Sequence, residues 1–133
     1  MKQNPNVWVI DNNEIDLLVA TRLITLCQPI FQIQGFANAT EAILKLNQNK
    51  NIAENLPDII LTETHLPILD GYGFIEKHQA LIPHIVKASI VLVLSSQKAT
   101  PKFKYLIQNQ VIADYLEKPI GAEMLCQTIR QLC

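Results

Sequence analysis

A chain of 133 residues with 49% hydrophobic content suffices for one ordinary domain with a buried core, so a single domain over 1–133 with no output domain is expected. Eleven basic side chains against twelve acidic ones leave no field of one sign, which removes the electrostatic case for nucleic acid or an anionic membrane as main partner. The longest apolar runs, such as ASIVLVL, are too short to span a bilayer, and the N-terminus MKQNPNVWVIDNN lacks the features of a signal peptide, so a cytoplasmic location is expected.

The first apolar run, VWVI at 7–10, predicts a strand and places Trp8 in the core. NEIDLLVATRLITLC follows with helical spacing of Ile15, Leu18, Val19, Leu23 and Leu26, and Asn13 as N-cap with Asp16 three residues on. A weaker strand, IFQIQGF at 30–36, precedes ATEAILKLNQ, a helix opened by the same device, Asn38 followed by Glu41, in which a cap side chain and a returning carboxylate satisfy orphan amides. DIIL at 58–61 is the third strand, followed by a turn at Pro67, Asp70 and Gly71 and a helix from Tyr72 to Leu81 that stops before Pro83. SIVLVL at 89–94 is the fourth strand, and the fourth helix starts near Thr100 with Pro101 in its first turn. ADYLE at 113–117 and a helix over Gly121–Leu132, turning Met124, Leu125, Ile129 and Leu132 inward, complete the chain.

The continuous apolarity of strands one, three and four predicts a parallel sheet covered on both faces, with the more polar strands two and five at the edges. Five βα units make one doubly wound α/β domain with right-handed crossovers and strand order 2-1-3-4-5. Cys27, Cys126 and Cys133 are odd in number and form no CxxC pair, which predicts reduced thiols, the first two buried and Cys133 exposed at the chain end.

In open α/β sheets ligands bind outside the carboxyl ends of the strands. Those ends carry Asp11 and Asn12, Glu63, Ser95 and Ser96, and Lys118 followed by Pro119. Two carboxylates and an amide offer oxygen ligands for Mg²⁺, and a hydroxyl with an ammonium offers contacts for phosphoryl oxygens. Together they describe phosphoryl chemistry on a carboxylate.

The segments VWVIDNNEID, PDIILTETHLPILDG, VLVLSS and DYLEKPI occur in this order and spacing, and with them nearly the whole chain resembles the receiver domains of two-component response regulators. The resemblance implies a flavodoxin-like (βα)5 fold and, at the end of strand three, an aspartate phosphorylated by a histidine kinase with Mg²⁺. A hydroxyl on strand four and an aromatic on strand five then reposition, and the face of helix four, strand five and helix five changes partners. Carried over by position, Asp11 is the first residue of the acidic pair, Ser95 the switch hydroxyl, Tyr115 the switch aromatic and Lys118 the phosphate-contact lysine. The Lys118–Pro119 bond is expected to be cis. His65 stands where the family offers a backbone carbonyl to the metal.

Two positions depart from the pattern. Asn12 replaces the second acidic residue, and Glu63 replaces the phosphoacceptor aspartate. Two carboxylates where the family has three predict weakened Mg²⁺ binding through Asp11, Glu63 and the His65 carbonyl. The extra methylene of Glu63 moves the reacting oxygen, and about 1 Å of displacement costs on the order of a hundredfold in rate. The longer arm instead directs the carboxylate toward Lys118 and Ser95, which predicts a fixed, active-like arrangement without phosphate.

The expected function is therefore a stand-alone, atypical receiver, not an enzyme, that binds a histidine kinase or downstream effector and carries no organic cofactor. A conventional Mg²⁺-dependent phosphoacceptor is the near alternative. A small aspartate-dependent phosphatase is disfavoured because it needs a second Asp two residues after the nucleophile, and Asp11 is followed by Asn12 and Asn13. A flavin binder is disfavoured because DNNEID is no phosphate cradle. His78 and His84 read as packed or surface residues, and Lys102, Lys104 and Tyr105 as either a solvated or a partner-facing side of helix four.

Overall fold

A computed structural model describes residues 5–27 and 31–132. Five parallel strands, β1 (Asn6–Ile10), β2 (Gln32–Phe36), β3 (Ile59–Thr62), β4 (Ile90–Ser95) and β5 (Asp114–Glu117), pair in the order β2-β1-β3-β4-β5. They alternate with α1 (Glu14–Cys27), α2 (Ala39–Gln48), α3 (Gly71–Leu81), α4 (Pro101–Gln108) and α5 (Ala122–Leu132). The doubly wound topology read from the sequence is the one observed. The start assigned to the second strand at Ile30 lies outside the described residues, as does Cys133.

Pleat parity sorts the core into two layers. Val7 and Val9 join Ile59, Leu61, Leu92, Leu94 and Leu116 beneath Ala20 and Ile24 of α1 and Leu125 and Ile129 of α5. Trp8 and Ile10 join Ile60, Val91 and Val93 beneath Ala42, Leu46, Phe74, Phe103 and Leu106 on the opposite face. Trp8 is fully buried, its ring 4.7 Å from that of Phe36. β3 is buried at every residue, whereas the edges β2 and β5 are partly exposed, as their composition predicts.

Caps sit where the side-chain chemistry puts them. Asn38 accepts from the Glu41 amide, Asp70 from the Gly73 amide and Thr100 from the Phe103 amide. Asn13 likewise accepts from the Asp16 amide at 2.9 Å. The Asp16 carboxylate does not return to that cap; it reaches across to Lys118.

Three further readings are corrected. In α1 the apolar residues Ile15, Leu18, Val19 and Leu26 face outward, at 49–74% exposure, while Ala20, Ile24 and Cys27 face the sheet. The helix is apolar on both sides, so periodicity alone cannot choose the inner face. In α5, Leu125 and Ile129 are buried as expected, but Met124 is 61% exposed and Cys126 takes the inward position. Cys27 and Cys126 are not reduced thiols: they form a disulfide between α1 and α5, with Cα atoms 5.1 Å apart. Both helices cover the same face of the sheet, which brings together two cysteines 99 residues apart.

His78 is packed, stacked on Phe74 and accepting from the Ser89 amide. Its burial lowers the imidazole pKa below the ordinary value. His84 is exposed. Among the described residues no helix is long and apolar enough to cross a membrane.

Candidate functional site

The rim at the carboxyl ends of the strands is assembled by the sheet ladder running one residue past the strands. The Asp11 amide donates to the Phe36 carbonyl at 3.0 Å, the Glu63 amide to the Ile10 carbonyl at 3.0 Å, and the Lys118 amide to the Ser95 carbonyl at 2.7 Å. Each residue leaving a strand is thus held by its neighbour strand, and the side chains of Asp11, Glu63, Ser95 and Lys118 share one pocket. Asp11, Glu63 and Ser95 are 4%, 6% and 0% exposed.

Lys118 lies at the centre. Its Nζ donates to Asp11 Oδ2 at 2.7 Å, to Glu63 Oε1 at 3.0 Å and to Asp16 Oδ2 at 3.0 Å. Burial alone would lower the lysine pKa, but its hydrogen bonds to these carboxylates and the charge of Asp11 outweigh it and raise the pKa well above the ordinary lysine value. For Glu63, burial pushes the carboxyl up. Hydrogen bonds from Ser95, Lys118 and the Thr64 amide, together with the lysine charge, win and hold it below the ordinary glutamate value.

The second Glu63 oxygen, Oε2, accepts from both the amide and the hydroxyl of Thr64. The Thr64 hydroxyl lies 2.8 Å from Ser95 Oγ, which in turn accepts from the Gln97 amide at 3.1 Å. Tyr115 donates its hydroxyl to the Gln97 carbonyl at 3.0 Å, and its ring packs 5.1 Å from that of Phe103 on α4. A continuous hydrogen-bonded path therefore runs from Glu63 through Thr64, Ser95 and Gln97 to Tyr115.

Behind the rim, Gly71 opens α3 directly against the strand end. Its amide donates to the Thr64 carbonyl at 3.0 Å, and a Cβ at this position would run into the Glu63 carbonyl oxygen and Thr64 Cα. Glycine is required there by close backbone approach. The Lys118–Pro119 bond is cis.

Asp11, Glu63, Ser95 and Lys118 come together as the strand ends predict. Asn12 and His65 are exposed at the rim, and Lys118 is held without them. Three residues were missed, among them Gln97, which contributes its backbone amide and carbonyl. Thr64 follows Glu63 directly and could have been found as a hydroxyl beside a buried acid. Asp16 had a sufficient local role beside the cap and gave no sign of a partner 102 residues away.

Asp16 also changes the charge count. Three carboxylates surround Lys118 where the strand ends supply two, the third coming from the first turn of α1. A divalent ion needs free oxygens, yet both oxygens of Asp11 and both of Glu63 already accept from Lys118, the Asn13 amide or Thr64. The gaps around Nζ, 2.7–3.0 Å, are those of charge-assisted hydrogen bonds from an ammonium. Among the described residues no group of three or more His, Cys, Asp or Glu is arranged to hold a metal. In this arrangement the Asp11 and Glu63 oxygens that would hold a Mg²⁺ ion hold Lys118.

The fold agrees with the comparisons. The two-component response regulator ARR2 of Arabidopsis thaliana is 25% identical over 122 residues, covering 92% of this chain and 17% of that protein, so this chain spans a small part of that relative's length. A two-component response regulator from Cytophaga hutchinsonii superposes with a TM-score of 0.76 at 25% identity, covering 99% of this chain and 98% of that one. A response regulator receiver domain protein from Clostridium thermocellum gives a TM-score of 0.76 at 20% identity, covering 96% and 93%. Receiver domains interact with histidine kinases and effectors in two-component systems and typically bind Mg²⁺ at their acidic pocket. The response regulator receiver domain family matches residues 7–130, and this chain belongs to it.

Proposed function

We propose that this receiver domain is an atypical one, a binding module and not an enzyme, which signals without phosphorylation at position 63. The observation that carries the reading is the position of the Glu63 carboxylate. It already holds Lys118 through one oxygen and, through the other, the path by way of Thr64 and Ser95 that ends at Tyr115. A fixed carboxylate then does in part what a phosphoryl group would do, with a charge of about −1 against roughly −1.5 to −2 and fewer acceptor oxygens.

The same contacts support weakened Mg²⁺ binding, because the oxygens a metal would share are taken. They also favour the α4–β5–α5 face as the surface that partners read. Tyr115 ties β5 to the β4–α4 loop and to Phe103, while Tyr105 stands 63% exposed on α4. Histidine kinases or downstream effectors are the expected class of partner.

The test is incubation of the wild-type protein and of Glu63→Asp/Asn12→Asp with acetyl phosphate and Mg²⁺, read by intact mass. Wild type is expected to stay unmodified while the double variant gains one phosphoryl group. Phosphorylated wild type would establish the conventional phosphoacceptor instead.

A further inference from the structure

The charge inventory of the pocket points to an unassigned residue, and the inference deepens the reading above and rests on it. Asp16 belongs to α1, not to a strand end, and its side chain is 42% exposed, whereas those of Asp11 and Glu63 are 5% and 7% exposed. An exposed acid paired with a solvated lysine would be an unremarkable surface contact worth little. Lys118 is not solvated: its side chain is 14% exposed and already has two buried anionic partners. Asp16 closes the open side of that arrangement.

We propose that Lys118 is the resident cation of the acidic pocket and that Asp16 is the positioning residue that supplies the third negative charge in place of Asn12. The ammonium sits where three carboxylate oxygens converge at 2.7, 3.0 and 3.0 Å, so a divalent ion and the lysine compete for the same oxygens. Asp16 biases the competition toward lysine by holding Nζ from the solvent side. The lysine then belongs to Glu63 permanently, which keeps the pocket in one state.

Two measurements test this. The first is the rate at which an amine-acylating reagent modifies Lys118, followed by peptide mass spectrometry with the exposed Lys104 as internal reference. Asp16→Asn is expected to raise the relative rate at Lys118 several-fold, and Asp16→Glu to restore protection; equal rates in wild type and Asp16→Asn would overturn the role of Asp16. The second is calorimetric titration with MgCl₂. Lys118→Met is expected to bind Mg²⁺ at least about tenfold more tightly than wild type, and adding Asp16→Asn to reverse most of the gain. Equal affinity of wild type and Lys118→Met would overturn the resident-cation role. If Lys118→Met does not fold, the acylation rates of the Asp16 variants, which keep the lysine, decide the question. Acetyl phosphate labelling of wild type would sink the proposed function without altering either readout, so the two failures are distinguishable.

Discussion

Glu63→Gln removes one charge from the pocket while keeping an oxygen that can accept from Lys118. At 3.0 Å and an effective dielectric of about 20, the lost attraction between Glu63 and Lys118 is roughly 5 kcal/mol before any compensation. Three effects reduce it. Asp11 and Asp16 still hold the ammonium, the repulsion between neighbouring carboxylates is relieved, and burying a neutral amide costs less than burying a carboxylate. A net loss of about 1–2 kcal/mol remains, close to the contribution of a hydrogen bond to a charged group. Trp8, the single tryptophan, is fully buried and reports unfolding by fluorescence. With a urea slope of about 1.5 kcal/mol per molar, the midpoint at pH 7 should fall by roughly 1 M. Because the folded-state pKa of Glu63 is lowered, its contribution is present above the ordinary glutamate range and disappears as pH falls through the folded value. The gap between wild type and variant should therefore be full at pH 7 and close only as pH falls below the ordinary glutamate range through the lowered folded value. A variant as stable as wild type at pH 7, or a gap that widens in acid, would refute the reasoning.

Gly71→Ala places a methyl against the Glu63 carbonyl and should destabilise by about 1–3 kcal/mol in the same urea assay; unchanged stability would mean that the helix start has room to move. Cys126→Ser opens a loop spanning 99 positions and should cost about 3–5 kcal/mol under oxidising conditions, with wild type and variant converging when reductant is added. A wild type indifferent to reductant would contradict the disulfide's stabilising role. His78 is held neutral by burial, so the unfolded chain takes up the proton first as pH falls. Wild type should accordingly lose stability between pH 7 and 5.5, by at most about 1.4 kcal/mol per pH unit, and His78→Gln should show a shallower slope. Parallel slopes would assign the loss to other groups.

Much of the site was legible because it follows the strands. A residue that leaves a parallel strand is placed by the next strand's ladder, so reading the strand ends was enough to group Asp11, Glu63, Ser95 and Lys118. Tyr115 required the family resemblance, and its path to Glu63 needed the coordinates, since Thr64 and Gln97 supply the links. Asp16 was hidden for a different reason. Its amide satisfies the cap of α1, and nothing in that local pattern says where the carboxylate goes.

The sequence by itself determined the order of elements, the caps, the two-sided burial of the sheet and the identity of the rim residues. These depend on periods of two and 3.6 and on hydrogen bonds spanning a few residues, which a chain carries locally. Only the tertiary structure decided which face of α1 turns inward, that Cys27 meets Cys126, and that Asp16 becomes the third carboxylate around Lys118. Each depends on how elements about a hundred residues apart lie against a common sheet, and packing settles that where α1 is apolar on both sides.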